Sequence, residues 1–352
     1  MSKRALWPTQ YGPITPRPIF ANLLKDVLRA GKCIGCGTCV AVCPANALQM
    51  MDESPRLVAA CIRCGYCYNA CPMTTDDEFK GFSNLSEDKL SVIFGENYRK
   101  GELGIFRAIY KSTENISPIS LAKEIMKFLL EKDYVDAIAT VGFKNGFTEK
   151  LMVLSHIIPK PIVIKNKDEL DSVCFWITTV PTGLALRAAA DELYASFFHA
   201  AYTPKICYFA PPTHIRAIWR MRLGWGGSTR IEETVYLTLT VFGTKYYALS
   251  SLRKALEEKG VNINLVKSYE VSEEGVKFYL NNGETDILLK DLNAELHSAI
   301  SSVDDKYGYF ADISIGKIGR STYLIARSVR AEKIVRELYE SKYVLIEPVE
   351  EV

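Results

Sequence analysis

Between residues 117 and 260 the spacing of apolar positions switches repeatedly, and each switch marks an element. SLAKEIMKFLLEKDY, introduced by Pro118 and the hydroxyl of Ser117 or Ser120, sets Leu121, Ile125, Phe128 and Leu129 at helical spacing. VDAIATVG follows it as a strand. Helix TGLALRAAADELYASFF, strand ICYFA, helix IRAIWRMR, strand VYLTLTVF and helix SSLRKALEEKG continue the alternation. Strands separated by helices imply a mostly parallel or mixed sheet. Near residue 265 the pattern changes. VKSYEV, VKFYLNN and TDILLKD, divided by Glu273-Glu274-Gly275 and Asn282-Gly283, predict a meander with tight turns. The expected class is mixed α/β, of the α+β kind.

The first 80 residues follow neither period. WPTQYGPITPRPIF has prolines at 8, 13, 16 and 18, which excludes a helix there and favours an extended arm over residues 1–28. After Pro72, TTDDEFKGFSNLSED is acidic and polar and reads as a linker, with Asp76, Asp77 and Glu78 either a solvated loop or a docking surface. The expected division is an arm (1–28), a small domain (29–80), an α/β part (81–265) and a C-terminal part of the same domain (266–352).

Eight of the ten cysteines lie inside the small domain, in two copies of one spacing: CIGCGTCVAVC before Pro44 and CIRCGYCYNAC before Pro72. Each copy is C-x2-C-x2-C-x3-C-P, the bacterial ferredoxin spacing for a 4Fe-4S cluster. Three close thiolates can reach three corners of a cube, and where two runs occur together the fourth cysteine of each ligates the other cluster. The expected ligands are Cys33, Cys36, Cys39 and Cys71 for one cluster, and Cys61, Cys64, Cys67 and Cys43 for the second. Gly35, Gly37 and Gly65 would let the backbone wrap closely around each cube. Paired structural zinc sites are the alternative, but zinc gives no reason for an exchanged fourth cysteine. Cys174 and Cys207 lie in apolar segments and read as packing.

Composition removes other classes. With 48% hydrophobic and 24% charged residues and a formal charge of +2, the chain is globular and has no field that would draw nucleic acid. VLSHIIPKPIVI is short and broken by Pro159 and Pro161, so no direct membrane insertion is expected. The first residues lack a secretory apolar core, which points to a cytoplasmic protein whose thiols stay free or bind metal.

The stretch FADISIGKIGRSTYLIARS (310–328), and the chain from about residue 90 onward, resemble the beta subunit of coenzyme F420 hydrogenases and dehydrogenases. With two clusters fused in front, the arrangement is similar to the input subunits of F420H2 dehydrogenases. The resemblance implies FAD binding, hydride exchange with the deazaflavin coenzyme, and passage of single electrons into iron-sulfur clusters. Ala311, Asp312, Ile313, Ser314, Gly316 and Gly319 match the family's A-D-I-S-x-G-x-x-G stretch, and Thr322 through Arg327 match the strand after it. Thr178, Thr179 and Pro181 resemble its K-Y-T-x-x-P segment, with Trp176 and Ile177 in place of Lys and Tyr. Pro212 matches a V-G-x-P-C turn in which Thr213 replaces the cysteine. On this basis Thr178, Thr179, Pro212, Thr213, His214, Asp312, Ser314 and Gly316 are the candidate FAD residues.

Departures count against that site. Gly243, and Ile300 with Val303 or Asp304, stand where the family has further cysteines, so its cluster inside the flavin domain is expected to be absent. KSTENISPIS (111–120) has no glycine where the family has G-x-x-G-G. LGWGGSTR (223–230) is either a flexible turn or a compensating anion-binding loop. His156, His199 and His297 have no metal spacing.

The resulting expectation is an electron-transfer subunit relaying single electrons through two 4Fe-4S clusters. It would work with other redox subunits, either iron-sulfur or flavin proteins, including a hydrogenase or a membrane-attached dehydrogenase at whose periphery it would sit. The alternatives are an FAD-dependent oxidoreductase of reduced F420 or a nicotinamide, and a docking adaptor with no cofactor in its large domain.

Overall fold

The structure is a computed structural model and describes residues 18–74, 85–143, 151–196, 202–223, 231–272, 275–303 and 305–350. Most of the arm, the acidic linker, most of LGWGGSTR, the Glu273-Glu274 turn and Asp304 lie outside the described residues.

An eight-stranded sheet organises the large domain, in the order Ile346–Val349, Ala108–Ser112, Ser321–Ala326, Ile313–Ile318, Val235–Val241, Ile206–Phe209, Ala137–Gly142 and Lys160–Ile164. Its four central strands, from 313–318 to 137–142, run parallel, and the outer strands are antiparallel. The mixed sheet expected from the alternation is therefore present. Parallel strands are buried on both faces. Along Ile206–Phe209, Cys207 and Phe209 enter one core while Ile206 and Tyr208 enter another.

Helices Pro118–Glu131 and Leu249–Glu258 cover the first face. Ser117 supplies the cap, its Oγ accepting from the Ser120 amide at 3.0 Å, and Leu121, Ile125, Phe128 and Leu129 are buried as their spacing requires. Helices Thr182–Ser196 and Pro212–Leu223 cover the second face, and the cysteine-rich domain joins the same apolar cluster through Phe20, Leu23, Val40 and Ala41. The meander forms as expected from Val266–Val271, Gly275–Leu280 and Gly283–Leu288, seated on the first face by Tyr269 and Phe278.

Two features depart from expectation. Phe20–Leu23 is α-helical and continues as a π-helical turn through Leu24–Leu28, so the last part of the expected extended arm is helical. Proline stops at residue 18, and Phe20, Leu23 and Val27 then bury one face. The small domain's hairpin, Leu48–Met51 with Ser54–Leu57, gains a third strand from the large domain, Met152–Val153, running parallel to the first. No helix among the described residues is long and apolar enough to cross a membrane.

Candidate metal centres

The two cysteine runs fold alike. In each, a glycine with positive φ, Gly37 (73°) or Gly65 (84°), starts a single helical turn, Thr38–Ala41 or Tyr66–Asn69. That turn holds the third cysteine toward its own loop and carries the fourth across to the other. Cys33, Cys36, Cys39 and Cys71 accordingly line one cavity with about 340 Å³ of free space. Cys43, Cys61, Cys64 and Cys67 line a second of about 340 Å³. Cys39 interacts electrostatically with Cys36, Cys33 and Cys71, and Cys67 with Cys64, Cys43 and Cys61. Cys39 also interacts with Cys67, so the two cavities are neighbours.

The sulfurs surround volumes. Among the described residues no three His, Cys, Asp or Glu side chains converge tightly enough to hold one ion. Burial pushes the Cys33 and Cys67 thiols up to about 12 and raises Cys36, Cys39 and Cys71. Without metal these groups are protonated at neutral pH, so loading with iron must displace protons. Backbone amides already point at sulfur, from Ala47 to Cys43 at 3.3 Å and from Arg63 to Cys61 at 3.4 Å. These contacts favour the thiolate. The thiolate donor set, the enclosed volumes and the amide donors all fit a 4Fe-4S cube in each cavity.

The first cavity sits against the large domain. An added Cβ on Gly35 would lie 2.8 Å from Thr179 Cβ, on Gly37 2.9 Å from Pro181 Cβ, and on Gly183 2.7 Å from the Thr38 amide nitrogen. The two loop glycines thus admit the neighbouring domain, in addition to their left-handed turns. The Gly183 amide donates to the Cys36 carbonyl at 2.9 Å. His214 Nε2 lies 3.3 Å from the Ile34 carbonyl, which can only accept, so Nε2 carries the proton. Nδ1 then accepts from Thr182 Oγ1 (2.9 Å), and Thr182 in turn accepts from the Tyr208 hydroxyl (2.6 Å). Burial holds His214 down at about 3, a neutral imidazole used as a strut. Gly35→Ala should therefore destabilise the fold by roughly 1–3 kcal/mol through left-handed strain plus overpacking, read as a lower denaturation midpoint.

The candidate FAD residues fall into two groups. Thr178, Thr179, Pro212, Thr213 and His214 line the seam or the start of the helix behind it. Thr178 donates to the Tyr247 carbonyl (2.9 Å) and to Glu53 Oε1 (3.2 Å), and Thr179 donates to the same oxygen (3.0 Å). Thr213 is the exception, with a buried Oγ1 that has no hydrogen-bond partner. Asp312, Ser314 and Gly316 sit in the sheet. Asp312 Oδ2 accepts from both the amide and the hydroxyl of Thr238. Ser314 donates to the Gly308 carbonyl, and an added Cβ on Gly316 would meet the Phe242 ring at 2.3 Å. In KSTENISPIS, Ser112 and Ser117 bond to the segment's own backbone. Seven of the eight positions are thus committed to protein packing or protein hydrogen bonds, and the set does not fit an FAD cradle.

Three residues with a part in the site were not picked out from sequence. Glu53, in the hairpin turn, accepts from Thr178, Thr179 and the Leu249 amide and pins the seam. Arg216 and Arg220 are buried on helix Pro212–Leu223 beside Cys71, where Arg220 favours the thiolate and Cys71 favours the charged form of Arg216. The available signal was IRAIWRMR itself, whose arginines at i and i+4 occupy a face that the helix must bury.

Comparison with known proteins places this geometry. Residues 25–72 match a 4Fe-4S dicluster domain, and residues 203–352 match the C terminus of the coenzyme F420 hydrogenase/dehydrogenase beta subunit. The chain joins these two domains. It is 23% identical over 340 residues to the coenzyme F420-dependent sulfite reductase of Methanocaldococcus jannaschii, covering 93% of this chain and 49% of that protein. It therefore spans about half the length of that relative. An uncharacterised protein of the same organism is 26% identical over 311 residues, 85% of this chain and 84% of its own. Among solved structures, a chain of the F420-reducing NiFe hydrogenase complex from Methanosarcina barkeri shares the fold at TM-score 0.50 and 18% identity, over 69% of this chain and 80% of that one. The F420 beta-subunit domain here thus carries a 4Fe-4S electron-transfer domain packed directly on its second sheet face. The chain belongs among iron-sulfur oxidoreductase proteins of electron transfer.

Proposed function

We propose that the chain is a subunit of a multisubunit redox complex that relays single electrons through two 4Fe-4S clusters. Cys33, Cys36, Cys39 and Cys71 would hold one cluster, and Cys43, Cys61, Cys64 and Cys67 the other. The observation that carries this reading is the partition of eight cysteines into two four-thiol cavities, each completed by the other repeat. When bound, such a cluster supplies one-electron oxidation and reduction at nearly fixed geometry.

The protein's own residues set the surroundings. Leu23, Val27, Met50 and Met73 line the first cavity and exclude water from it. Arg216 and Arg220 provide buried positive charge next to Cys71, offsetting the negative charge of a thiolate-ligated centre. His214, Thr182 and Glu53 fix the loop against the large domain, keeping the first centre at a constant distance from whatever that domain or its partners deliver. The relatives' names, an F420-dependent reductase and an F420-reducing hydrogenase complex, support a deazaflavin-linked source or sink of electrons.

Anaerobically purified protein should contain about eight irons and eight sulfides per chain. About twelve irons would reveal a third cluster in the large domain, and two zincs without iron would overturn the reading.

A further inference from the structure

The two cysteine loops are equivalent in sequence and backbone but not in surroundings. Ile34 and Ile62 occupy the same place in the repeat, yet Ile34 is 1% exposed and Ile62 is 62% exposed. The next residue is left-handed in both loops, Gly35 at φ 63° and Arg63 at φ 56°. At Gly35 the reason for glycine is visible, because Thr179 leaves no room for a side chain. At Arg63 a glycine would meet the backbone requirement without strain. The chain instead places a long cation there, and the side chain is exposed.

The surface around Arg63 has a consistent character. Leu57 (49%), Val58 (50%) and Ile62 form an exposed apolar group, and Leu57 and Ile62 also wall the second cavity. Arg56 is exposed beside them, and no Asp or Glu occurs between Ser54 and Thr74. Neither Arg56 nor Arg63 has an ion pair among the described residues. Asp26 is tied to the same repeat, accepting from the Tyr68 hydroxyl at 3.0 Å. An apolar centre with a charged rim is the composition of a transient protein interface, in which the charges steer encounter.

We infer that the face formed by Leu57, Val58, Ile62 and Arg63, with Arg56 at its edge, docks a separate redox protein that presents an acidic rim around its own one-electron centre. The matching face of the first repeat already seats this chain's large domain through neutral groups, Thr179, Pro181 and Gly183. The second repeat offers cations in the same position, which select an anionic partner. Electrons would then pass from the large-domain side through the first centre to the second and out at Ile62, or in reverse. This inference rests on the two-cluster reading.

The test follows one electron from the dithionite-reduced holoprotein to an acidic flavodoxin, whose oxidised flavin becomes the one-electron-reduced form, by stopped-flow absorbance. The second-order rate constant of the unmodified protein should fall as salt rises. Arg63→Gly, which relieves backbone strain, should be about tenfold slower with a shallower salt dependence, and Ile62→Glu at least about tenfold slower. Both variants should keep about eight irons and should reduce benzyl viologen, a small mediator, at the unmodified rate. Flavodoxin reduction at the unmodified rate in both variants would overturn the inference. So would a salt-independent rate, or a homodimer that Ile62→Glu splits, since the face would then belong to a second copy. Iron near four in the unmodified protein would instead remove the two-cluster reading beneath it.

Discussion

Cys71→Ser should abolish the centre built on the first cysteine run, although Cys71 belongs to the second. Iron should fall from about eight to about four per chain, with one of two reduced-state paramagnetic signals lost. The crossing of the fourth cysteine makes a sharper expectation for pairs. Cys36 and Cys71 line one cavity, so Cys36→Ser combined with Cys71→Ser should remove no more iron than either change alone. Cys36 and Cys64 line different cavities, so Cys36→Ser combined with Cys64→Ser should remove nearly all of it. Uncrossed ligation would give the opposite result for Cys71, whose loss would then spare Cys33, Cys36 and Cys39 and damage the centre at Cys61, Cys64 and Cys67. Cys174 and Cys207 are buried in the other core and should be replaceable by serine without loss of iron.

How much of this was legible in the sequence depended on how local the determining physics is. Helix Pro118–Glu131 and the three-stranded meander could be read because their periodicity, cap and turns lie within a few residues of one another. The grouping of the cysteines was legible for a similar reason, since the spacing constrains which thiols can share a cube. What the repeat could not show was its asymmetry. CIGC and CIRC look interchangeable until Thr179, more than a hundred residues away, is found against Gly35. Likewise Thr178, Thr179 and His214 were picked out as cofactor residues by resemblance. Their hydrogen bonds go to Glu53 and Ile34 of the small domain, contacts that no short window of sequence contains. The helical end of the arm was hidden by the prolines before it, whose influence stops at Pro18. The outer strands 108–112 and 346–349 pair across more than 230 residues.

Arg327 stands at the far end of this scale, and Arg327→Ala should be among the most destabilising single changes in the large domain. Its side chain is fully buried between sheet and loop. Nη1 donates to the Leu103 carbonyl (2.9 Å) and the Ile105 carbonyl (2.5 Å), Nη2 to the Tyr307 carbonyl (2.9 Å), and Nε to Ser314 Oγ (3.1 Å). One guanidinium thereby joins the 99–106 hairpin, the 305–310 loop and the centre of the sheet. Its planar fork suits several fixed carbonyls at once, which a lysine ammonium cannot match. Burial pulls its pKa down to about 10, yet it remains charged at neutral pH, with Asp305 favouring that form. Alanine would leave three buried carbonyls without their donor and a void where the side chain lay, at a cost of roughly 3–5 kcal/mol. Arg327→Lys should recover part of that, and Arg327→Met, which restores volume without donors, should recover less. Denaturant midpoints of the three variants would decide between hydrogen bonding and packing. If methionine matched the unmodified protein, the carbonyl network would carry no net stability and the conserved volume alone would hold the hairpin to the sheet.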